Sequence, residues 1–213
     1  VFKFFSQQTN VYSVLLDLDV LVLNNPKKLF YFYKNKVSLV NDISQNVIPA
    51  YGKKEILKKL NILNSNINKI TWIGGDFFAG DNYFYKLLHM KTKFYQKKFV
   101  DNLKLLSDQT DELFMSATLH DLKNDKKIKI KYGNKLDIFN RYWNTNVLHS
   151  QYKIDFYRKF TFLHIPADKV FLSKCFNKND DKIQLSLEYK NNSDPRKDVF
   201  NYAVEKGWII TEM

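Results

Sequence analysis

Two short apolar runs, residues 12–16 and 20–23, enclose Asp17-Leu18-Asp19 near the start of the chain. An apolar run of this length between turn residues is typical of a strand buried on both faces of an α/β sheet. An Asn-Asn-Pro sequence ends the second run, because proline removes a backbone donor and restricts the residue before it. The pattern therefore predicts two carboxylates at the end of a buried strand, and it limits the fold more than any other feature.

Strand and helix patterns alternate along the rest of the chain. The predicted strands are residues 37–40, 70–73, 126–132 and 160–165. The predicted helices are residues 53–63, 83–106 and 108–122. Asp81 is expected to cap the second of these helices. The alternation indicates an α/β fold with a mixed sheet flanked by helices.

The composition is that of a chain with one sizeable core. The 213 residues are 45% hydrophobic, and no apolar run is long enough to cross a membrane. The formal charge is +12, almost all of it from lysine, and the only arginines are Arg141, Arg158 and Arg196. Since nucleic-acid readers depend on bidentate arginine contacts, no nucleic-acid partner is expected. The lysine excess is either a compositional bias without a function or a feature that attracts the chain to anionic lipid head groups or phosphorylated substrates.

Asp17 and Asp19 are the first candidates for chemistry. The chain bends at a strand end, so both carboxylates can converge on one cation there. Two carboxylates and the oxygens of a diphosphate suit Mg²⁺ or Mn²⁺, which prefer hard oxygen ligands. The carboxyl edge of a sheet is also where α/β folds bind ligands. The alternative is an ordinary pair of aspartates at a strand end.

Three further segments carry polar groups that chemistry could use. Residues 74–80, Gly-Gly-Asp-Phe-Phe-Ala-Gly, form either a sugar-binding turn or a tight strand-to-helix connection. Asp111 and Glu112 open a helix, where the helix dipole favours acids, or act as a base or nucleophile near an anomeric carbon. His164 can ligate a cation or bond phosphate, and Lys169 would offset the charge of a leaving diphosphate.

The order of these motifs resembles that of known glycosyltransferases. The segment LLDLDVLVLNNP resembles the D-x-D segment of glycosyltransferases with the GT-A fold. The segments WIGGDFFAG and DQTDELFMSATLH resemble the glycine-rich turn and the Asp-Glu pair of glycosyltransferase family 6. HIPADK is similar to the His-x-x-Gly-x-x-Lys motif of glycosyltransferase family 8. The resemblance extends over residues 12–169.

The resemblance implies a role for each matching residue. The implied metal ligands, for Mn²⁺ or Mg²⁺, are Asp17, Asp19 and His164. The implied substrate-binding residues are Gly74, Gly75, Asp76 and Lys169. The implied catalytic residues are Asp111 and Glu112, with Glu112 in the position of the family 6 candidate nucleophile.

The resemblance also implies a domain organisation and partners. Residues 1–170 would form a GT-A-like catalytic region that lacks part of the N-terminal nucleotide-binding half, and residues 171–213 would form an extension. The donor would be a nucleotide-diphosphate sugar, UDP-linked in the simplest case, and the acceptor a glycan or a lipid-linked molecule. The expected location is the cytoplasm, in peripheral contact with the inner face of a membrane.

Two alternatives stay open at this level. Residues 15–22 also resemble motif I of haloacid-dehalogenase-type phosphatases, in which Asp17 would be the nucleophile and Asp19 the acid/base beside Mg²⁺. Asp76 and Asp81 would then form a late acidic motif. The other alternative is a binding module or an inactive remnant of a transferase that keeps a vestigial site.

Overall fold

The computed structural model describes residues 1–9, 11–106, 110–142 and 154–166. Lys169 and the predicted extension over residues 171–213 lie outside the described residues. Within them the chain has the α/β class that the sequence predicts, with two mixed sheets flanked by helices.

The strands and helices alternate along the described residues. The strands are β1 (Ser13–Leu16), β2 (Val20–Val22), β3 (Val37–Asp42), β4 (Ile73–Gly80), β5 (Lys129–Tyr132), β6 (Phe139–Arg141) and β7 (Phe162–His164). The α-helices are α1 (Phe2–Ser6), α2 (Lys28–Lys34), α3 (Ser44–Tyr51), α4 (Lys53–Leu63), α5 (Asn82–Asp101), α6 (Leu103–Leu106) and α7 (Asp111–Leu122). Short 3₁₀ helices occupy Gly133–Lys135 and Ile154–Lys159.

The strands form a large sheet and a small sheet. The large sheet has the order β1-β4-β3-β5, in which β3 and β5 are parallel and the other pairs are antiparallel. The small sheet has the order β2-β7-β6, with β2 antiparallel and β6 parallel to β7. The chain passes from the large sheet to the small one between β1 and β2.

Apolar side chains cover both faces of the large sheet. On one face Val40, Ile73 and Phe78 pack against residues of α5 and α7. On the other face Leu39 and Phe77 pack against α2 and the small sheet. The large sheet is therefore the middle layer of the fold, as expected for a sheet with two apolar faces.

Helix α7 is buried around most of its circumference and is tied to the large sheet. Ser116 Oγ accepts a hydrogen bond from the backbone N–H of Ile73 at 2.9 Å and donates one to the carbonyl of Glu112 at 2.6 Å. These bonds fix the first turn of α7, which carries Asp111 and Glu112, against the start of β4.

Two local predictions are confirmed. The helix expected over residues 53–63 is α4, with the same bounds. Asp81 caps α5, since its Oδ1 accepts a hydrogen bond from the backbone N–H of Phe84 at 2.9 Å. The predicted single helix over residues 83–106 is instead interrupted at Asn102, which separates α5 from α6.

Two strand predictions are wrong in an instructive way. β1 is not buried on both faces, because all four of its residues are partly exposed and the strand lies at the edge of the large sheet. The strand predicted to end at residue 73 instead begins there, and the predicted turn over residues 74–80 is part of β4. Ile73 and residues 77–80 pair with β3 or β1, and these pairs hold the whole segment extended despite the low strand propensity of glycine and aspartate.

Among the helices that the structure describes, none combines the length and the apolar character that a membrane-spanning segment requires.

Candidate metal centre

The Asp17-Leu18-Asp19 triplet lies where the chain crosses from the large sheet to the small sheet. The backbone N–H of Asp17 donates to the carbonyl of Asp76 in β4 at 3.2 Å. The carbonyl of Asp19 accepts from the backbone N–H of Ile165, just after β7, at 3.0 Å. The two ends of the triplet are therefore fixed by different sheets, which holds the carboxylates in the gap between them.

The structure brings Asp17, Asp19 and His164 together, although 145 positions separate Asp19 from His164. One potential ligand atom from each residue lies within 4.8 Å of the others. His164 Nε2 is 3.0 Å from Asp19 Oδ1 and 3.8 Å from Asp17 Oδ2. Asp19 and His164 are buried and Asp17 is exposed. Two carboxylates and an imidazole are a donor set that suits Mn²⁺ better than Mg²⁺, because Mg²⁺ prefers oxygen ligands alone. Asp17 is the member of the set that is open to a further ligand such as a substrate phosphate.

Asp76 fixes the orientation of the His164 ring. Its Oδ2 lies 2.7 Å from His164 Nδ1, and its side chain is fully buried. Burial alone would raise the pKa of Asp76, but Arg141 and His164 together lower it to about 2. Since an ionised carboxylate only accepts hydrogen bonds, Nδ1 carries the proton and Nε2 faces the two aspartates. A carboxylate that holds the far nitrogen of a ligating histidine is the usual support of a metal site.

The short contact between His164 Nε2 and Asp19 Oδ1 requires a positive charge between the two atoms. With the Nδ1 proton directed at Asp76, a neutral ring presents a lone pair at Nε2. Two acceptors 3.0 Å apart are stable only when they share positive charge. A proton or a divalent cation can supply that charge, so the residues present fit a metal ion.

Arg141 joins the metal cluster to α7, and sequence analysis did not identify it as a site residue. Its Nε lies 2.7 Å from Asp76 Oδ2 and its Nη2 lies 2.9 Å from Glu112 Oε1. The parallel pairing of β6 with β7 places Arg141 directly opposite His164. Burial would lower the pKa of Arg141, but the two carboxylates raise it above its usual range, so the guanidinium stays charged. The available signal was an arginine within an apolar segment of a chain that uses lysine almost everywhere else.

An irregularity in β4 makes room for this network. Between their paired positions β4 advances five residues, from Ile73 to Phe78, while β3 advances only two. Extra residues in one strand of a pair re-aim its side chains. A Cβ on Gly74 would lie 2.4 Å from Asp76 Oδ1 and 2.8 Å from Arg141 Nη2. Glycine is therefore needed here for the close approach of the ion pair, and the predicted contact of Gly74 and Asp76 with substrate stays a prediction.

The two predicted catalytic carboxylates have different surroundings. Glu112 uses both oxygens, one toward Arg141 and the other accepting from Trp72 Nε1 at 3.0 Å. Asp111 is exposed, and its Oδ2 lies 3.4 Å from the position that a Cβ on Gly75 would take. Asp111 and Gly75 line a cavity of about 230 Å³ that also includes the ring of Phe114. Of the two carboxylates, Asp111 is the more exposed and lines the cavity.

Manganese affinity should fall as the pH is lowered, because protons compete with the metal for its carboxylate ligands. The Asp17 side chain is 53% exposed, and the burial of the remainder raises the pKa of its carboxyl group, while the neighbouring His164 opposes part of that rise. Because the metal binds the carboxylate form, a raised pKa lets protons compete at a higher pH than at an ordinary aspartate. Isothermal titration calorimetry with Mn²⁺ at several pH values measures this. A constant affinity over the range would contradict the participation of Asp17.

Comparison of the chain with models of protein families, with curated proteins and with solved structures found no match. The family resemblance inferred from the motifs therefore stays a prediction, and the geometry of the metal cluster carries the functional argument.

Proposed function

We propose that this chain is a metal-dependent glycosyltransferase with a GT-A-like fold, which moves a hexose from a nucleotide-diphosphate sugar to a glycan or lipid-linked acceptor. The observation that carries the proposal is the convergence of Asp17, Asp19 and His164. The D-x-D segment and the histidine motif each resemble a glycosyltransferase motif in local sequence alone. Neither motif by itself implies that these residues lie close together in the folded chain.

The environment of the cluster supports a phosphate-bearing substrate. The buried pair Asp19 and His164 would hold Mn²⁺ or Mg²⁺ from the protein side, and exposed Asp17 would complete the set at the surface. A cation held there would neutralise the negative charge of the diphosphate leaving group. Asp76 and Arg141 keep the His164 ring in place, so the ligand geometry is fixed before substrate binds.

The cavity beside Asp111 supports a place for the transferred sugar or the acceptor. Asp111 Oδ2 lies 3.4 Å from the position that a Cβ on Gly75 would take, and Gly75 directly precedes Asp76 in β4. An exposed carboxylate that lines a cavity is suited to accept a proton from an acceptor hydroxyl or to attack an anomeric carbon. Glu112 holds Arg141 and Trp72 in this structure.

The phosphatase alternative receives no comparable support. It combines Asp76 with Asp81 in one acidic motif, whereas Asp81 caps α5 and Asp76 binds Arg141 and His164. Hydrolysis of an aryl phosphate that is lost in Asp17→Asn would favour that alternative over a transferase.

Thermal unfolding with UDP and Mn²⁺ together tests the proposal. Saturating ligand should raise the Tm by roughly 5 °C, because binding to the folded state alone stabilises it by mass action. UDP or Mn²⁺ alone should give a smaller shift. Asp19→Asn should remove the combined shift, while Asp101→Asn, an exposed aspartate at the end of α5, should keep it. The absence of a shift with every nucleoside diphosphate tested beside Mn²⁺ would overturn the proposal.

A further inference from the structure

Helix α2 exposes aromatic side chains on the surface. The side chains of Phe30 and Tyr31 are 65% and 62% exposed, while Phe32 between α2 and the large sheet is buried. Single exposed apolar side chains are ordinary on a protein surface, whereas neighbouring ones that form a patch are informative. Two adjacent rings that the described residues leave uncovered call for a functional explanation.

Lysines lie on the same side of the helix as these rings. Successive residues of an α-helix are rotated by roughly 100°, so residues three, four and seven apart share a face. The outer face of α2 comprises Lys27, Phe30, Tyr31 and Lys34. Both of these lysines are exposed, and Lys27, which caps the helix, has helical dihedral angles. The outer face thus combines two aromatic rings with two positive charges.

The surrounding segment reinforces the charge. Residues 20–41 contain Lys27, Lys28, Lys34 and Lys36 and no aspartate or glutamate. All four lysines are exposed. A partner for this face must therefore be anionic, and it must also accept aromatic rings.

We infer that the outer face of α2 binds the surface of an anionic membrane. Phe and Tyr rings enter the head-group region, where the polar and apolar parts of the bilayer meet. Lysines near an anionic leaflet are attracted to its surface potential, and their long apolar stems lie along the boundary. The outer face of α2 shares no residue with the metal cluster. Membrane binding and transferase activity can therefore be tested, and can fail, independently of each other.

Two other partners fit this face less well. A second copy of the chain would bring the same positive charges opposite one another in a symmetric contact, and that juxtaposition is repulsive. A nucleic acid would favour arginine, and the outer face carries lysine alone. Both partners become outcomes of the test below.

Co-sedimentation with vesicles tests the inference. The protein should bind vesicles in which phosphatidylglycerol replaces one third of the phosphatidylcholine, and bind pure phosphatidylcholine more weakly by roughly tenfold or more. Lys27→Glu with Lys34→Glu should reduce binding to the anionic vesicles by more than roughly tenfold. Phe30→Ser with Tyr31→Ser should also reduce it, and added salt should weaken what remains.

Control variants on helices α3 and α4 separate this face from the general charge of the chain. Lys53→Glu with Lys54→Glu makes the same change of charge on exposed positions of α4, and Tyr51→Ser removes an aromatic ring that is 59% exposed. These controls should bind nearly as well as the unchanged protein.

Three results would overturn the inference. One is equal binding to neutral and anionic vesicles, or none to either. Another is an equal loss of binding in the control variants on α3 and α4. The third is a dependence on Phe30 and Tyr31 that is found for self-association in sedimentation velocity, or for a single-stranded oligonucleotide, but not for vesicles.

Discussion

Replacing Arg141 with methionine should destabilise the protein by about 3–5 kcal/mol. The Arg141 side chain is only 7% exposed and its guanidinium contacts Asp76, which is fully buried, and Glu112, which is 19% exposed. Methionine keeps much of the length of the stem but leaves a buried carboxylate without its main counter-charge. Removing one partner of a buried pair is costly because the other charge stays desolvated. Urea unfolding gives the free energy directly.

The control for this prediction is an ion pair at the surface. Lys159 contacts Asp137 at 2.9 Å, with the two side chains 49% and 41% exposed. Lys159→Met should cost less than about 1 kcal/mol, because water and salt screen an exposed pair. If Arg141→Met and Lys159→Met lower the free energy of unfolding by similar amounts, the buried network does not hold the sheets together.

Asp76→Asn should weaken Mn²⁺ binding by roughly 10- to 100-fold. Asp76 Oδ2 accepts hydrogen bonds from His164 Nδ1 and from Arg141 Nε, both at 2.7 Å. An amide of nearly the same shape has one acceptor oxygen and no charge, so it holds both donors less firmly. The His164 ring then loses its fixed orientation and Nε2 is a poorer ligand. Calorimetric titration with Mn²⁺ measures the affinity.

A second aspartate serves as the control for Asp76. Asp121 forms a 2.7 Å ion pair with Lys91, at positions where both side chains are partly exposed. Asp121→Asn makes the same chemical change away from the cluster and should leave the affinity unchanged. An Asp76→Asn variant that folds and binds Mn²⁺ as tightly as the unchanged protein would show that Asp76 does not support the site.

Local features of the fold were predictable from the sequence. The apolar spacing of residues 53–63 predicted α4, and the position of Asp81 predicted the cap of α5. These features depend on contacts between residues close in sequence, so a local pattern contains most of the information. The α/β class followed from the alternation of such patterns.

Features set by long-range pairing were not predictable in the same way. The glycines of β4 suggested a turn, but pairing with two neighbouring strands makes the segment a strand. Arg141 escaped notice because its partners Asp76 and Glu112 are 65 and 29 positions away. The proximity of His164 to Asp19 depends on the register of β2 with β7, and no local pattern encodes that register. The sequence identified Asp17, Asp19 and His164 as separate candidates, and only the three-dimensional fold shows that they lie together.

The cluster of Asp17, Asp19 and His164 is tested most directly by counting bound manganese. Electron paramagnetic resonance of free Mn²⁺, titrated into the protein, should reveal one bound ion per chain. Asp19→Asn should weaken that binding by more than roughly 100-fold, since removing a metal ligand lowers the affinity more than removing a residue that only orients a ligand. Asp101→Asn should bind as the unchanged protein does. The account is contradicted if no Mn²⁺ binds, or if Asp19→Asn binds it as tightly as the Asp101→Asn control.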